Sequence, residues 1–262
     1  AYLAMEYLEH KAADKTQRFV QKSGRMGPVL GGVLGVIPQC GFAAAASNLY
    51  TGRVITLGTL LAIFLSTSDE MLPILISESV PLPVILKILG LKALIGILGG
   101  VIVDLIVRSR VNGNEHIHEL CEHDHCHCKE GSGVLKAALS HTLQISLFLL
   151  LISFALNVFL YFLGEEALGY LLLNRPVIGQ LLAGVVGLIP NCAASVVITT
   201  LYLEGAMSFG AMMSGLLVGS GVGILVLFRA NRNRLENLKI LGLLYALGVV
   251  SGIVIELLKI TV

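Results

Sequence analysis

The sequence has 262 residues, of which 55% are hydrophobic and only 13% are charged, and its mean hydropathy is +0.85. In soluble domains about a quarter of all residues are charged, and disordered chains are poor in apolar residues. Both classes of protein are therefore excluded. The net charge of +1 excludes the basic surface of a nucleic-acid-binding protein, and five cysteines do not make a disulfide scaffold. The composition predicts an integral membrane protein whose partner is the lipid bilayer.

Long apolar stretches predict an all-α polytopic membrane protein, because a spanning helix needs roughly 20 apolar residues. Leu, Ile, Val and Ala follow one another without the strict alternation of a β-barrel strand. The predicted segments are, in chain order, 28–50, 54–77, 82–107, 137–163, 177–203, 206–228 and 237–258. Residues 1–9 resemble the end of a helix, and we expect the first helix to be truncated in this sequence.

An offset of 152 residues aligns the chain with itself without a gap. At this offset 32–40 falls on 184–192, where Ile-Pro, a polar residue and Cys recur, and 86–91 falls on 238–243. Internal repeats of this kind are typical of secondary transporters. We predict a first transport repeat at 1–108, a linker at 109–134 and a second transport repeat at 135–262.

A proline interrupts the second segment of each repeat, at Pro38 and at Pro190. Proline breaks a helix and leaves two pieces that are too short to span, so we expect a re-entrant helical hairpin in each repeat. One hairpin per repeat makes the two repeats inverted. It also places fourteen Lys and Arg side chains in the cytosol and four outside, whereas spanning by every segment gives twelve and six. We therefore predict two inverted repeats in the inner cell membrane, with the linker 109–134 in the cytosol.

Three charged residues fall within or beside apolar segments. Lys92 interrupts an apolar run, and we expect its long side chain to extend outward to an interface. Asp104 and Glu256 lie near helix ends, where we expect solvent contact. Gly-x-x-x-Gly spacings such as Gly248/Gly252 permit close helix packing.

The third segment of the first repeat is interrupted by polar residues, namely Ser66, Thr67, Ser68, Asp69 and Glu70. Charge within a membrane is costly and indicates a functional site. The matching stretch 218–222 is also interrupted, by glycines on both sides of Ser220. Two broken helices at matching positions indicate a transport site. We therefore expect each repeat to contain one broken transmembrane helix. The alternative is a short helix that ends at an interface with both carboxylates in water.

Each proline break also carries a cysteine beside an amide, as Gln39-Cys40 and as Asn191-Cys192. We expect these tips to approach each other at a pseudo-two-fold axis. A thiolate binds soft or borderline metals, although a free cysteine is often only a small buried apolar group. We include all four residues in the transport site and take Asp69, Cys40 and Cys192 as its candidate metal ligands.

The linker concentrates metal-binding side chains, with five of the seven histidines and three of the five cysteines. They are His116, His118, Cys121, His123, His125, Cys126, His127 and Cys128. Neutral imidazole and thiolate bind first-row metals, and cytosolic thiols stay reduced. We expect a labile site that captures metal for export; the alternative is a variable polar linker.

These motifs resemble the predicted ten-helix heavy-metal exporter family, whose members are labelled manganese transporters or arsenic efflux proteins. The resemblance covers nearly the whole chain and rests on 37–42, 65–70 and 189–192. It implies efflux of a toxic metal or metalloid. It also implies ten helices, when each hairpin counts as two and a truncated first helix is allowed.

The residues favour a secondary-active efflux transporter of a divalent heavy-metal cation, Mn²⁺ or Zn²⁺-like. Oxygen donors such as Asp69 suit Mn²⁺, and Cys40 with Cys192 suits Zn²⁺, Cu⁺ or trivalent arsenic. The sequence has no Walker A motif, so we expect an ion gradient to supply the energy, with coupling protons at Asp69 or Glu70.

The metal is a substrate, and we expect no cofactor, no enzymatic activity and no nucleic-acid partner. The sequence is compatible with a homo-oligomer. Three alternatives remain: a carrier of arsenite, a small oxyanion or a sulfur compound that uses helix N-termini as anion sites; a membrane thiol-redox enzyme; and a metal sensor that does not transport.

Overall fold

The computed structural model describes residues 26–36, 40–68, 71–107, 177–190 and 192–260. All regular structure in these residues is helical, as the sequence predicts. The first half contains α1 (Gly27–Gly35), α2 (Cys40–Thr51), α3 (Leu57–Ser66), α4 (Met71–Ser77) and α5 (Leu82–Val107). The second half contains α6 (Ile178–Gly187), α7 (Cys192–Leu203), α8 (Phe209–Val218), α9 (Gly223–Ala230) and α10 (Arg234–Leu257).

Four stretches of the described chain are long and apolar enough to cross a membrane: α3 with α4, α5, α8 with α9, and α10. Their burial divides them into two classes. In α5 and α10 the buried share of the apolar stretch is 28% and 33%. In α3–α4 and α8–α9 the buried share is 75% and 72%. Large apolar side chains such as Leu98 and Leu105 on α5 stay exposed, as expected of a surface that lipid covers. The two interrupted stretches therefore form the interior, and α5 and α10 form its periphery.

The helical pattern recurs at the offset found in the sequence. Helices α2 and α7, and likewise α3 and α8, begin and end 152 residues apart. The turns that end α2 and α7 also match, because Arg53 and Gly205 both adopt positive φ, 56° and 74°. A left-handed residue is a common helix terminator, and glycine adopts it more easily than arginine.

Matching hydroxyl residues cap α3 and α8. The Thr56 hydroxyl accepts a hydrogen bond from the Thr59 amide at 3.1 Å, and the Ser208 hydroxyl accepts one from the Ala211 amide at 3.2 Å. Each cap satisfies an amide that has no partner within its own helix and contributes about 1 kcal/mol. The local sequence therefore fixes where both helices begin.

Asp104 and Glu256 keep part of their surface exposed, but both are also hydrogen-bonded within the protein. Asp104 accepts hydrogen bonds from the Gly58 amide at 2.7 Å and from the Thr56 hydroxyl at 2.6 Å. Glu256 accepts one from the Gly210 amide at 3.0 Å. Both carboxylates are half-buried against a helix N-terminus, whose partial positive charge stabilises them.

Glycines allow α5 and α10 to cross α3 and α8 in backbone contact. A Cβ atom added at Gly100 would lie 2.4 Å from the Gly58 carbonyl oxygen, and one at Gly252 would lie 2.5 Å from the Gly210 carbonyl oxygen. No side chain fits at such distances. The close packing predicted from the Gly-x-x-x-Gly spacing is confirmed at these crossings.

Helices of each half pack against helices of the other half. The break predicted in 28–50 separates α1 from α2, and these two helices pack on different partners. Helix α1 packs against α3 and α5, whereas α2 packs against α9 of the other half. Reciprocally, α7 packs against α4. A hydrogen bond of 2.7 Å from the Ser47 hydroxyl to the Gly223 carbonyl fixes the α2–α9 contact.

Candidate functional site

Helices α3 and α8 end inside the protein. Their C-terminal caps, Thr67 and Gly219, have ψ angles of 133° and 87°, so the backbone leaves the helical conformation there. Polar residues at the two ends are Ser66, Thr67, Ser68 and Ser220, and all four are buried, with at most 3% of the residue exposed. The interruption predicted from the sequence is thus a pair of buried helix ends.

The hydroxyl groups at the end of α3 bond to the preceding backbone. Ser66 and Thr67 donate to the carbonyls of Ala62 and Ile63, each at 2.8 Å, and Ser68 donates to the Ser66 carbonyl at 3.2 Å. Each bond occupies a hydroxyl hydrogen but leaves lone pairs on the oxygen. The three hydroxyl oxygens therefore keep the capacity to accept from, or to ligate, a substrate.

Two buried hydroxyls, one in the middle of α8 and one just after its end, have no hydrogen-bond partner among the described residues. Ser214 and Ser220 are both fully buried, and neither hydroxyl has a hydrogen-bond partner within the part of the chain that the structure describes. A buried hydroxyl without a partner costs about 1–3 kcal/mol. A bound ligand, ion or water is one way to satisfy such a group.

Lys92 connects the two helix ends. Its side chain is buried, with 1% of the residue exposed, and its Nζ donates to the carbonyl of Thr67 and, at 2.9 Å, to that of Leu216. The expectation that it extends outward is wrong, because carbonyl groups at the ends of α3 and α8 provide partners inside the protein. We call Ser66, Thr67, Ser68, Ser220 and Lys92 the helix-end cluster.

Charged side chains of α5 complement the dipole of α3 at both ends of that helix. Asp104 contacts the N-terminus of α3 and Lys92 contacts its C-terminus, so α5 runs antiparallel to α3. Helix α8 has Glu256 at its N-terminus and shares Lys92 at its C-terminus. The residue that matches Lys92 at the 152-residue offset is Leu244. One lysine therefore serves two helix C-termini.

The sequence contained a signal for Lys92 that hydropathy alone does not use. It is a charge inside an apolar run, and its counterpart in the second repeat is apolar. Both facts indicate an internal role that only one repeat supplies. Its partners, however, are backbone carbonyls from two distant helices, which no local pattern reveals.

A second polar cluster joins the end of α2 to the start of α10, and it was missed by sequence reasoning. Tyr50 donates to Glu236 at 2.5 Å, and the Arg53 guanidinium donates to both oxygens of Glu236 at 3.0 and 3.2 Å. We call these three residues the Glu236 cluster. Burial lowers the pKa of Arg53, but the hydrogen bonds and charge of Glu236 outweigh it and raise the pKa above its ordinary value.

Several predicted site residues lie outside the described residues. They are Gln39, Asp69, Glu70, Asn191 and the eight histidines and cysteines of the linker. Cys40 and Cys192 are the first residues of α2 and α7, and their side chains also lie outside the description. Within the described ranges, no group of three or more His, Cys, Asp and Glu residues could hold a metal ion. The metal ligands therefore stay predictions.

Comparison with known proteins identifies the family. A model of a family described as a predicted 10TM heavy-metal exporter matches residues 1–158 and 134–261. Searches of curated proteins and of solved structures gave no match. The family match agrees with four apolar candidate spans and with a buried, polar pair of helix ends. The chain is a multi-pass membrane protein that belongs to this heavy-metal exporter family.

Proposed function

We propose that this protein is a secondary-active efflux transporter of a divalent heavy-metal cation, Mn²⁺ or Zn²⁺-like, and that the substrate crosses at the helix-end cluster. The observation that carries the proposal is the meeting of two interrupted, buried stretches at one lysine. Broken helices at corresponding places in two repeats characterise the substrate sites of secondary transporters.

An inverted-repeat architecture is supported by the helix contacts between the halves. The α2–α9 and α7–α4 contacts are reciprocal, as a pseudo-two-fold relation requires. The 9 residues of α1 and the 12 of α2 reach about 14 and 18 Å, against about 30 Å of hydrocarbon. Lengths of this kind favour re-entrant hairpins over spanning helices.

The donor types favour a hard cation. Hydroxyl and carbonyl oxygens dominate the described end of α3, and Asp69 and Glu70 follow Ser68 directly in the sequence. Oxygen donors suit Mn²⁺, whereas thiolates from Cys40 and Cys192 would extend the range to Zn²⁺. The two carboxylates outnumber the single charge of Lys92, so a cation remains compatible with the lysine.

We further propose that protons supply the energy through Asp69 or Glu70. A carboxylate within a membrane binds either a proton or a metal, and that competition would couple the two fluxes. The linker would lie in the cytosol of an inner-membrane protein, and its histidines and cysteines would capture metal before export.

One observation favours a second candidate function. Lys92 places a buried positive charge at the helix-end cluster, and such a charge suits a carrier of a small oxyanion. The two functions differ in their dependence on Asp69, because a cation needs its negative charge and an anion does not.

Flux into inside-out proteoliposomes tests the proposal. Mn²⁺, Zn²⁺, Co²⁺, Ni²⁺ and arsenite are offered under an imposed proton gradient to the wild type, to Asp69→Asn and to Glu78→Gln. Glu78 is an exposed carboxylate after α4, so it controls for loss of charge in the same stretch. Cation flux that Asp69→Asn abolishes and Glu78→Gln retains supports the exporter. Arsenite flux that both variants retain supports the carrier instead.

A further inference from the structure

Lys92 lies where two sets of unpaired carbonyls meet. Thr67 is the C-terminal cap of α3, and Leu216 belongs to the last four residues of α8. The carbonyls of a helix's last turn have no partner within that helix. The Lys92 ammonium satisfies one from each helix.

The two helix ends bring negative partial charge to the ammonium. A helix C-terminus carries roughly half a negative elementary charge, so each of the two contacts is electrostatically favourable. An ammonium buried without compensation is strongly unfavourable. Lys92 is buried to 1% exposure, and the paired helix ends contribute to the stabilisation of its charge there.

The same arrangement of groups binds coupling cations elsewhere. Unwound carbonyls and the C-terminal ends of half-helices are the groups that hold Na⁺ or H⁺ in secondary transporters with broken helices. Here a side chain of the protein fills that position. Its counterpart Leu244 is apolar and buried, so the matching position of the second repeat adds no competing charge.

We propose that the C-termini of α3 and α8 form a monovalent-cation site and that the Lys92 ammonium occupies it as a tethered cation. The ammonium holds the two helix ends together and replaces a coupling Na⁺. The transport cycle, whose existence rests on the proposed function, therefore runs without Na⁺. The cation site itself does not depend on which substrate is moved.

Thermal unfolding in detergent tests the site without measuring transport. Wild type, Lys92→Ala and Leu244→Ala are compared in NaCl, choline chloride and butylammonium chloride at equal ionic strength. Lys92→Ala should lower the midpoint by about 5–10 °C, and Na⁺ or butylammonium should restore part of the loss in a saturable way. The wild type should have the same midpoint in Na⁺ and choline.

Leu244→Ala is the matched control, because it opens a cavity at the corresponding place in the second half without removing a charge. Its midpoint should fall, and neither cation should restore it. If Lys92→Ala fails to fold, Lys92→Met keeps most of the volume without the charge and carries the same comparison. Lack of cation-specific recovery in the Lys92 variant, or Na⁺-specific stabilisation of the wild type, would overturn the proposal.

Flux measured with choline in place of Na⁺ on both sides of the membrane then tests the link to transport. Undiminished wild-type flux supports a Na⁺-independent cycle, and flux that requires Na⁺ contradicts it. If no substrate moves in either medium, the proposed function fails, while the unfolding result still decides whether the tethered-cation site exists.

Discussion

Tyr50→Phe should destabilise the protein more than Arg53→Gln, although Arg53 makes the ion pair. The Arg53 and Glu236 side chains are 48% and 21% exposed, and an exposed pair contributes about 0.5–1 kcal/mol. The hydrogen bond from Tyr50 to a charged, partly buried acceptor contributes about 1.5 kcal/mol. Arg53 also has a positive φ of 56°, so its net contribution is smaller still.

A double-mutant cycle of Tyr50→Phe and Glu236→Gln isolates this interaction. The coupling free energy should be about 1 kcal/mol, and Tyr50→Phe alone should lower the midpoint by about 3–6 °C. The chain has no tryptophan, so unfolding in detergent is followed by circular dichroism at 222 nm. Arg53→Gly should be nearly neutral, because glycine adopts positive φ without strain and offsets the lost pair. A coupling below about 0.3 kcal/mol, or a larger loss in Arg53→Gln than in Tyr50→Phe, would refute this reasoning.

Three further predictions concern packing and the linker. Asp104→Ala should cost about 3 kcal/mol and Glu256→Ala about 2 kcal/mol in detergent unfolding, because Asp104 accepts two hydrogen bonds and Glu256 accepts one; equal losses would contradict the assignment. Gly100→Leu should abolish the folded protein in size-exclusion chromatography, whereas Gly90→Leu should be tolerated, because nothing lies within 4 Å of a Cβ at Gly90. Serine in place of the histidines and cysteines of 109–134 should raise the half-saturating metal concentration of flux and leave the maximal rate unchanged; an abolished maximal rate would contradict an accessory role of the linker.

The sequence predicted the helices well because their signals are local. Apolar runs and the 152-residue offset anticipated the matching bounds of α3 and α8, and Pro38 anticipated the break before α2. The close crossings at glycine followed from spacing on one helix face. The burial of Ser66 and Ser220 followed from their places within apolar stretches.

The polar contacts were not predictable in the same way. Lys92 bonds to carbonyls on α3 and α8, and Tyr50 bonds to Glu236 across the two halves. Backbone carbonyls have no sequence signature, and the partners are brought together only by the tertiary fold. A hydropathy pattern predicts that a lysine in an apolar run extends to water, because hydropathy takes no account of hydrogen-bond acceptors inside the protein.

Metal binding to the purified protein tests the central claim most directly. The eight linker histidines and cysteines are replaced by serine, so that only the core can bind, and Mn²⁺ binding is measured by electron paramagnetic resonance with Asp69→Asn and Ser66→Ala beside it. The account predicts one saturable site in the linker variant, weakened at least about tenfold by Asp69→Asn and less by Ser66→Ala. Absence of saturable Mn²⁺ binding in the linker variant, or equal binding by Asp69→Asn, would contradict a cation site at the helix-end cluster.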